Sequence, residues 1–155
     1  MVLTVTHVLP PDEAAAVVAT LSLTASDRAR SRHRFTTDDG RPLYLNLPRG
    51  TVLRGGDLLG GAAEGLIRVV AKPEPVVVVT AEASLDLVRA AYHLGNRHVS
   101  LELAADSLKL EPDPVLEAML TQLGGLALTS DTRPFEPEAG AYRAGHHSHD
   151  SHDHN

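Results

Sequence analysis

Cysteine is absent from the 155 residues, which removes a disulfide framework, a thiolate nucleophile and the soft sulfur ligands that Cu(I) and iron–sulfur clusters select. Any metal bound by this chain must be borderline or hard. Aromatic residues make up 3% of the chain and the formal net charge is −6 with neutral histidines, so stacking platforms are scarce and the overall charge repels a phosphate backbone. No nucleic-acid partner is expected. The clearest apolar run, Val76 to Val79, is far too short to span a bilayer, and Met1 to Pro11 lacks a positive stretch followed by a long apolar one. The reading is a cytoplasmic protein with no membrane partner. A chain of this length buries roughly 70% of the surface it exposes unfolded, so a core can form without covalent staples.

What is present begins with short alternating segments and turn formers. Val2–Thr6, Arg34–Thr36, Leu43–Leu47 and Leu66–Val70 are separated by Asp39-Gly40, Pro48-Arg49-Gly50, Gly55-Gly56 and Gly60-Gly61, which predicts a small all-β unit over residues 1–73. After Lys72-Pro73-Glu74-Pro75 the pattern changes. Val76–Thr80 reads as a strand, and Leu85, Val88, Ala91 and Tyr92 recur at helical spacing until Gly95, which is expected as the left-handed residue closing the helix. Val99–Leu103 and Leu108–Leu110 alternate like paired strands. Asp113 and Pro114 suit the start of a second helix with an apolar face of Val115, Leu116, Met119, Leu120 and Leu123, and Leu126–Thr129 supplies a last strand. The order β-α-β-β-α-β is that of a ferredoxin-like domain, assigned to residues 74–140, and the fold class is α+β. From Arg133 onward Pro, Glu, Gly and then His-rich sequence offer too little apolar surface to order themselves, so a disordered tail is expected, with 141–155 as its flexible His-rich part.

That end carries the strongest signal. His146, His147, His149, His152 and His154 place five of the nine histidines in the last ten residues, interleaved with Ser148, Asp150, Ser151 and Asp153. Neutral imidazole suits Ni(II), Zn(II) and Cu(II), and close spacing lets several rings reach one ion without a preformed pocket. A solvated polar tail or a purification tag is the alternative reading. Because a tail binds without geometric discrimination, a carrier needs an ordered site as well, and His98 is the candidate, standing between a helix end and a strand start. A loop histidine bonded to backbone remains the competing account of it. His7, His33 and His93 receive no ligand role.

Arg28, Arg30, Arg32 and Arg34 alternate, so an extended segment would project all four from one face, either a solvated sheet edge or a docking strip for an acidic partner. Arg54-Gly55-Gly56-Asp57 makes no phosphate cradle, since the G-x-x-x-x-G-K-[ST] pattern is missing. No nucleotide hydrolysis is implied.

Leu47-Pro48-Arg49-Gly50 with Leu53-Arg54-Gly55-Gly56-Asp57, the block Ala91-Tyr92-His93-Leu94-Gly95-Asn96-Arg97-His98, the segment Pro134–Tyr142 and the His-rich end together resemble the UreE family of urease accessory proteins over nearly the whole chain. The resemblance implies a peptide-binding-type β domain, a ferredoxin-like metal-binding domain and a homodimer in which His98 meets its symmetry mate, with tail histidines completing the coordination of nickel. It also implies a non-enzymatic nickel carrier whose partners are the urease accessory GTPase and the urease activation complex. Some relatives carry further histidines shortly after this block, but here the stretch is Glu111-Pro112-Asp113-Pro114, which puts extra ordered histidine sites in doubt. The main competing function is a His-rich metal store or buffer. A metal-dependent hydrolase would need about three fixed ligands, an open position and a general base, and no such set is visible.

Overall fold

The computed structural model describes residues 2–140. In chain order the elements are β1 (Leu3–Val5), β2 (His7–Leu9), β3 (Val17–Leu23), α1 (Ala25–Arg28), β4 (Arg32–Thr36), β5 (Pro42–Asn46), β6 (Leu58–Gly60), β7 (Leu66–Ala71), β8 (Glu74–Ala81), α2 (Ser84–Asn96), β9 (Glu102–Leu103), β10 (Leu108–Leu110), α3 (Pro114–Leu123) and β11 (Leu126–Arg133).

The first seven strands form two small sheets in the orders β1-β5-β4 and β2-β6-β7-β3. Alternation of side chains across each strand sends Leu3 and Val5, Leu43 and Leu45, Leu21 and Leu23, and Ile67 and Val69 into one shared apolar core, closed by Leu47, Leu53 and Leu59. The sequence reading passes over β2, β3, α1 and β6. A register irregularity between Val17 and Ala19 breaks the alternation of β3, and β6 is three residues long beside two glycines, too short for a period to show.

The remaining strands form one sheet in the order β11-β8-β10-β9, the order of a ferredoxin-like βαββαβ unit. β8 is its central strand and is buried on both faces, which is why it reads as an unbroken run of valines. Val77 and Val79 pack under α2 and α3 with Leu87, Ala90, Leu94 and Leu120, while Val76 and Val78 face the other way and meet Phe135 and Ala25. Asp113 caps α3, accepting from the N–H groups of Val115 and Leu116, and the Glu117 carboxylate accepts from the Asp113 N–H.

Two expectations are corrected. The helical stripe Leu85, Val88 and Tyr92 faces solvent, and the core side of α2 is Leu87, Ala90 and Leu94, two residues out of phase and so about 200° around the helix. Both sides of α2 are apolar, and periodicity cannot say which of two such stripes the sheet covers. The segment after Arg133 is not a tail from its first residue. Phe135 is fully buried, and residues 134–138 are hydrogen-bonded to both halves of the molecule. No helix among the described residues is long and apolar enough to cross a membrane.

Candidate functional site

His98 follows the C-terminus of α2 and adopts a left-handed conformation, φ 56°, alone in doing so among the described non-glycine residues. The helix ends with Arg97 as its cap. The N–H of His98 donates to the Gly95 carbonyl at 3.0 Å and the N–H of Val99 donates to the Leu94 carbonyl at 3.2 Å, the paired bonds of a Schellman motif with His98 in the position usually given to glycine. Gly95, expected at that position, lies inside the helix instead. Val99 then turns inward onto the core beside Leu94, which fixes the chain's exit direction. A side chain in this region costs on the order of 1 kcal/mol, and histidine is among the few residues enriched there. The result is an exposed imidazole on a rigid corner, with no hydrogen-bond partner recorded for it among the described residues.

The imidazole borders a shallow depression of ≈ 400 Å³ whose wall includes Gly95, Ser100, Leu103 and Glu138. From there the outward stripe of α2 runs back through Tyr92, Val88 and Leu85, which are 64%, 61% and 55% exposed. Three large apolar side chains on one face of one helix, ending at an exposed imidazole, form a surface that water solvates poorly.

The chemistry of the donor fits a borderline metal ion, because an exposed imidazole is a ligand of the right softness for Ni(II) or Zn(II). One such donor per chain does not hold an ion. No group of three or more His, Asp or Glu side chains suited to a metal occurs among the described residues. His7 stacks against Gly60 with the Thr6 hydroxyl at its Nδ1, His33 lies edge-on to the Phe35 ring at 4.7 Å, and His93 sits edge-on to the Tyr92 ring. Each of these has local work in the fold. His146, His147, His149, His152 and His154 lie outside the described residues.

The arginine row does not share one face. Arg28 ends α1 and is 1% exposed, Arg30 lies in the turn that follows, and only Arg32 and Arg34 alternate outward on the edge strand β4. Arg28 instead donates to the carbonyls of Leu23 and Phe135, leaving its Nε without a partner among the described residues. Burial lowers its pKa, opposed chiefly by Glu136 and then by Glu74. Arg54 donates to the Pro137 carbonyl at 2.5 Å, and the Glu136 carboxylate accepts from the Gly55 N–H at 2.5 Å. Sequence reasoning assigned Arg28 to an exposed strip and gave no role to Arg54, Phe135, Glu136 or Glu138. One available signal was Phe135, one of only two phenylalanines in the chain, placed between prolines in a segment otherwise polar.

Comparison with known proteins bears on both halves. Residues 5–72 match the family model described as UreE urease accessory protein, N-terminal domain, and residues 74–155 match the C-terminal domain of the same family. A urease accessory protein UreE of Nostoc sp. strain PCC 7120 is 52% identical over 146 residues, covering 94% of this chain and 97% of that protein. One from Nostoc punctiforme is 53% identical over 148 residues, with 95% and 99% covered, and one from Microcystis aeruginosa is 48% identical over 154 residues, with 96% and 95% covered.

Proposed function

The chain belongs to the UreE family of urease accessory proteins, and on that footing we propose that it is a carrier, not an enzyme, which binds Ni(II) and delivers it for assembly of the urease active site. The observation that carries this reading is His98, held outward at the end of the exposed α2 stripe. An isologous two-fold contact through Leu85, Val88 and Tyr92 would cover that stripe and set two His98 side chains face to face, turning one ligand per chain into a pair. His146, His147, His149, His152 and His154 complete the coordination sphere. A site with few fixed ligands gives up its ion more readily than a closed cage does, as delivery requires. The receiving partners are the urease accessory GTPase and the larger urease activation complex, met in the cytoplasm.

The test is nickel titration with mass measurement of the intact assembly. Wild type should form a dimer with a tight site that His98→Ala removes while the dimer persists, and deletion of His146–Asn155 should lower the number of bound ions yet keep a weakened interface site. A tight site unchanged in His98→Ala would overturn the assignment.

A further inference from the structure

The segment after β11 is pinned residue by residue, and the pins alternate between the two halves of the molecule. Toward the amino-terminal half, the Phe135 carbonyl accepts from Arg28, the Pro137 carbonyl from Arg54, and the Glu136 carboxylate from the Gly55 N–H. Toward the other half, Phe135 fills the face of β8 at Val76 and Val78, the Glu136 N–H donates to the Glu102 carboxylate at 2.8 Å, and the Glu138 N–H donates to the Leu101 carbonyl at 2.6 Å. Lys109 holds Glu102 in place through an ion pair at 2.6 Å. The segment emerges at Glu138, which with Ser100 borders both the inter-domain cleft of ≈ 970 Å³ and the depression at His98.

We propose that residues 134–140 are a positioning brace, docked between the two halves so that the His-rich end of the chain leaves the folded body beside His98. Arg54 and Glu136 are its positioning residues and touch no metal. This rests on the reading of His98 and the tail histidines as nickel ligands. Eight residue steps lead from Glu138, the last pinned residue, to His146, at most about 29 Å of chain, so the first tail histidine is within reach of the depression that Glu138 and His98 share. The effective concentration of a tethered ligand falls roughly as the three-halves power of tether length. Loss of every pin beyond Phe135 would lengthen the tether to His146 from 8 to 11 residues and dilute the tail histidines about 1.6-fold, and disabling Arg54 and Glu136 does part of this, since the N–H bonds of Glu136 and Glu138 to Glu102 and Leu101 remain.

The experiment follows nickel release into excess chelator by stopped flow, in the full chain and in a chain ending at Gly145. In the full chain, Arg54→Ala with Glu136→Ala should accelerate release by up to about 1.6-fold, and Glu136→Gln in place of Glu136→Ala, which keeps an acceptor for the Gly55 N–H, should restore most of the wild-type rate. In the shortened chain the double variant should change nothing, because no tail histidine remains to be positioned. A second variant leaves every pin intact: six Gly/Ser residues inserted between Gly140 and Ala141 lengthen the tether from 8 to 14 residues and should accelerate release about 2.3-fold. Equal acceleration with and without the tail would overturn the brace, since the effect would then lie in the fold or at His98. Insertion without effect would overturn it as well. If removing the tail itself leaves release unchanged, the assignment of tail histidines as ligands fails first, and the brace with it.

Discussion

The half of the chain that forms β1 to β7 leaves outward only scattered apolar side chains, with Val2, Val18, Val52 and Val70 on separate strands and loops. The half that follows sets Leu85, Val88 and Tyr92 on one face of one helix, and Leu103, Val115 and Leu123 add to its exposed apolar surface. Scattered residues of the first kind are normal on any soluble surface, whereas a contiguous stripe implies something to cover it. Each half has a closed core of its own, so the contrast is not one of folding quality. It separates a half with no apolar stripe on its surface from one whose outer helix face leaves such a stripe uncovered.

The sharpest way to break that contrast is a charge in the stripe. Val88→Glu should convert the proposed dimer to monomer in sedimentation at micromolar concentration and abolish tight nickel binding with it. Val18→Glu, at a scattered position of the other half, should leave the mass unchanged. A dimer that survives Val88→Glu would mean the stripe is not the contact.

The two halves meet at Phe135, so the next largest effect concerns their independence. Emptying a fully buried aromatic site costs about 3–5 kcal/mol, and Phe135→Ala should lower stability by that order in denaturant titration. Because the cavity opens where Val76, Val78 and Ala25 converge, the variant should also unfold in two steps. A single unshifted transition would show that the halves do not depend on this contact.

A smaller effect separates the imidazole of His98 from its backbone. His98→Gly and His98→Ala should lose the tight nickel site alike, but glycine tolerates the left-handed corner and alanine does not, so the glycine variant should be more stable than the alanine variant by about 1 kcal/mol. Equal stabilities would mean that the corner relaxes when the ring is removed.

The smallest effect lies in the amino-terminal half. The Asp38 carboxylate is held below its ordinary pKa, first by the Thr20 hydroxyl and then by the hydroxyl and N–H of Ser22. Since the folded-state value is the lower one, the stability it contributes is present above the ordinary carboxylate range and is lost as pH falls through the lowered value. Asp38→Asn should therefore be less stable than wild type at neutral pH, and the two should converge in acid, below about pH 3.8. Thermal melts across that range decide it, and an undiminished difference in acid would remove Asp38 as the cause.

Periodicity and turn chemistry alone made legible the strand-rich first half, the βαββαβ order of the second, and the Asp113-Pro114 helix start. These are local properties, set by side-chain alternation and by caps within a few residues. The candidate site was legible in part. His98 stood out by its place between two elements, but its left-handed backbone did not, because Gly95 offered the more obvious helix end. The pins Arg28, Arg54 and Glu136 were illegible for a different reason. Each makes its defining contact with a residue more than eighty positions away, which no local pattern records.

By itself the sequence determined that the chain lacks thiol chemistry, that it carries a histidine-dense end, that its elements run in a given order, and that α2 is apolar on two sides. Only the tertiary structure decided which of those two sides the sheet would cover, that Arg28 would be buried rather than displayed, and that residues 134–138 would be ordered. In each case the deciding term is a buried contact between distant segments: β8 needs cover for both of its faces, and α2 supplies one while Phe135 supplies the other.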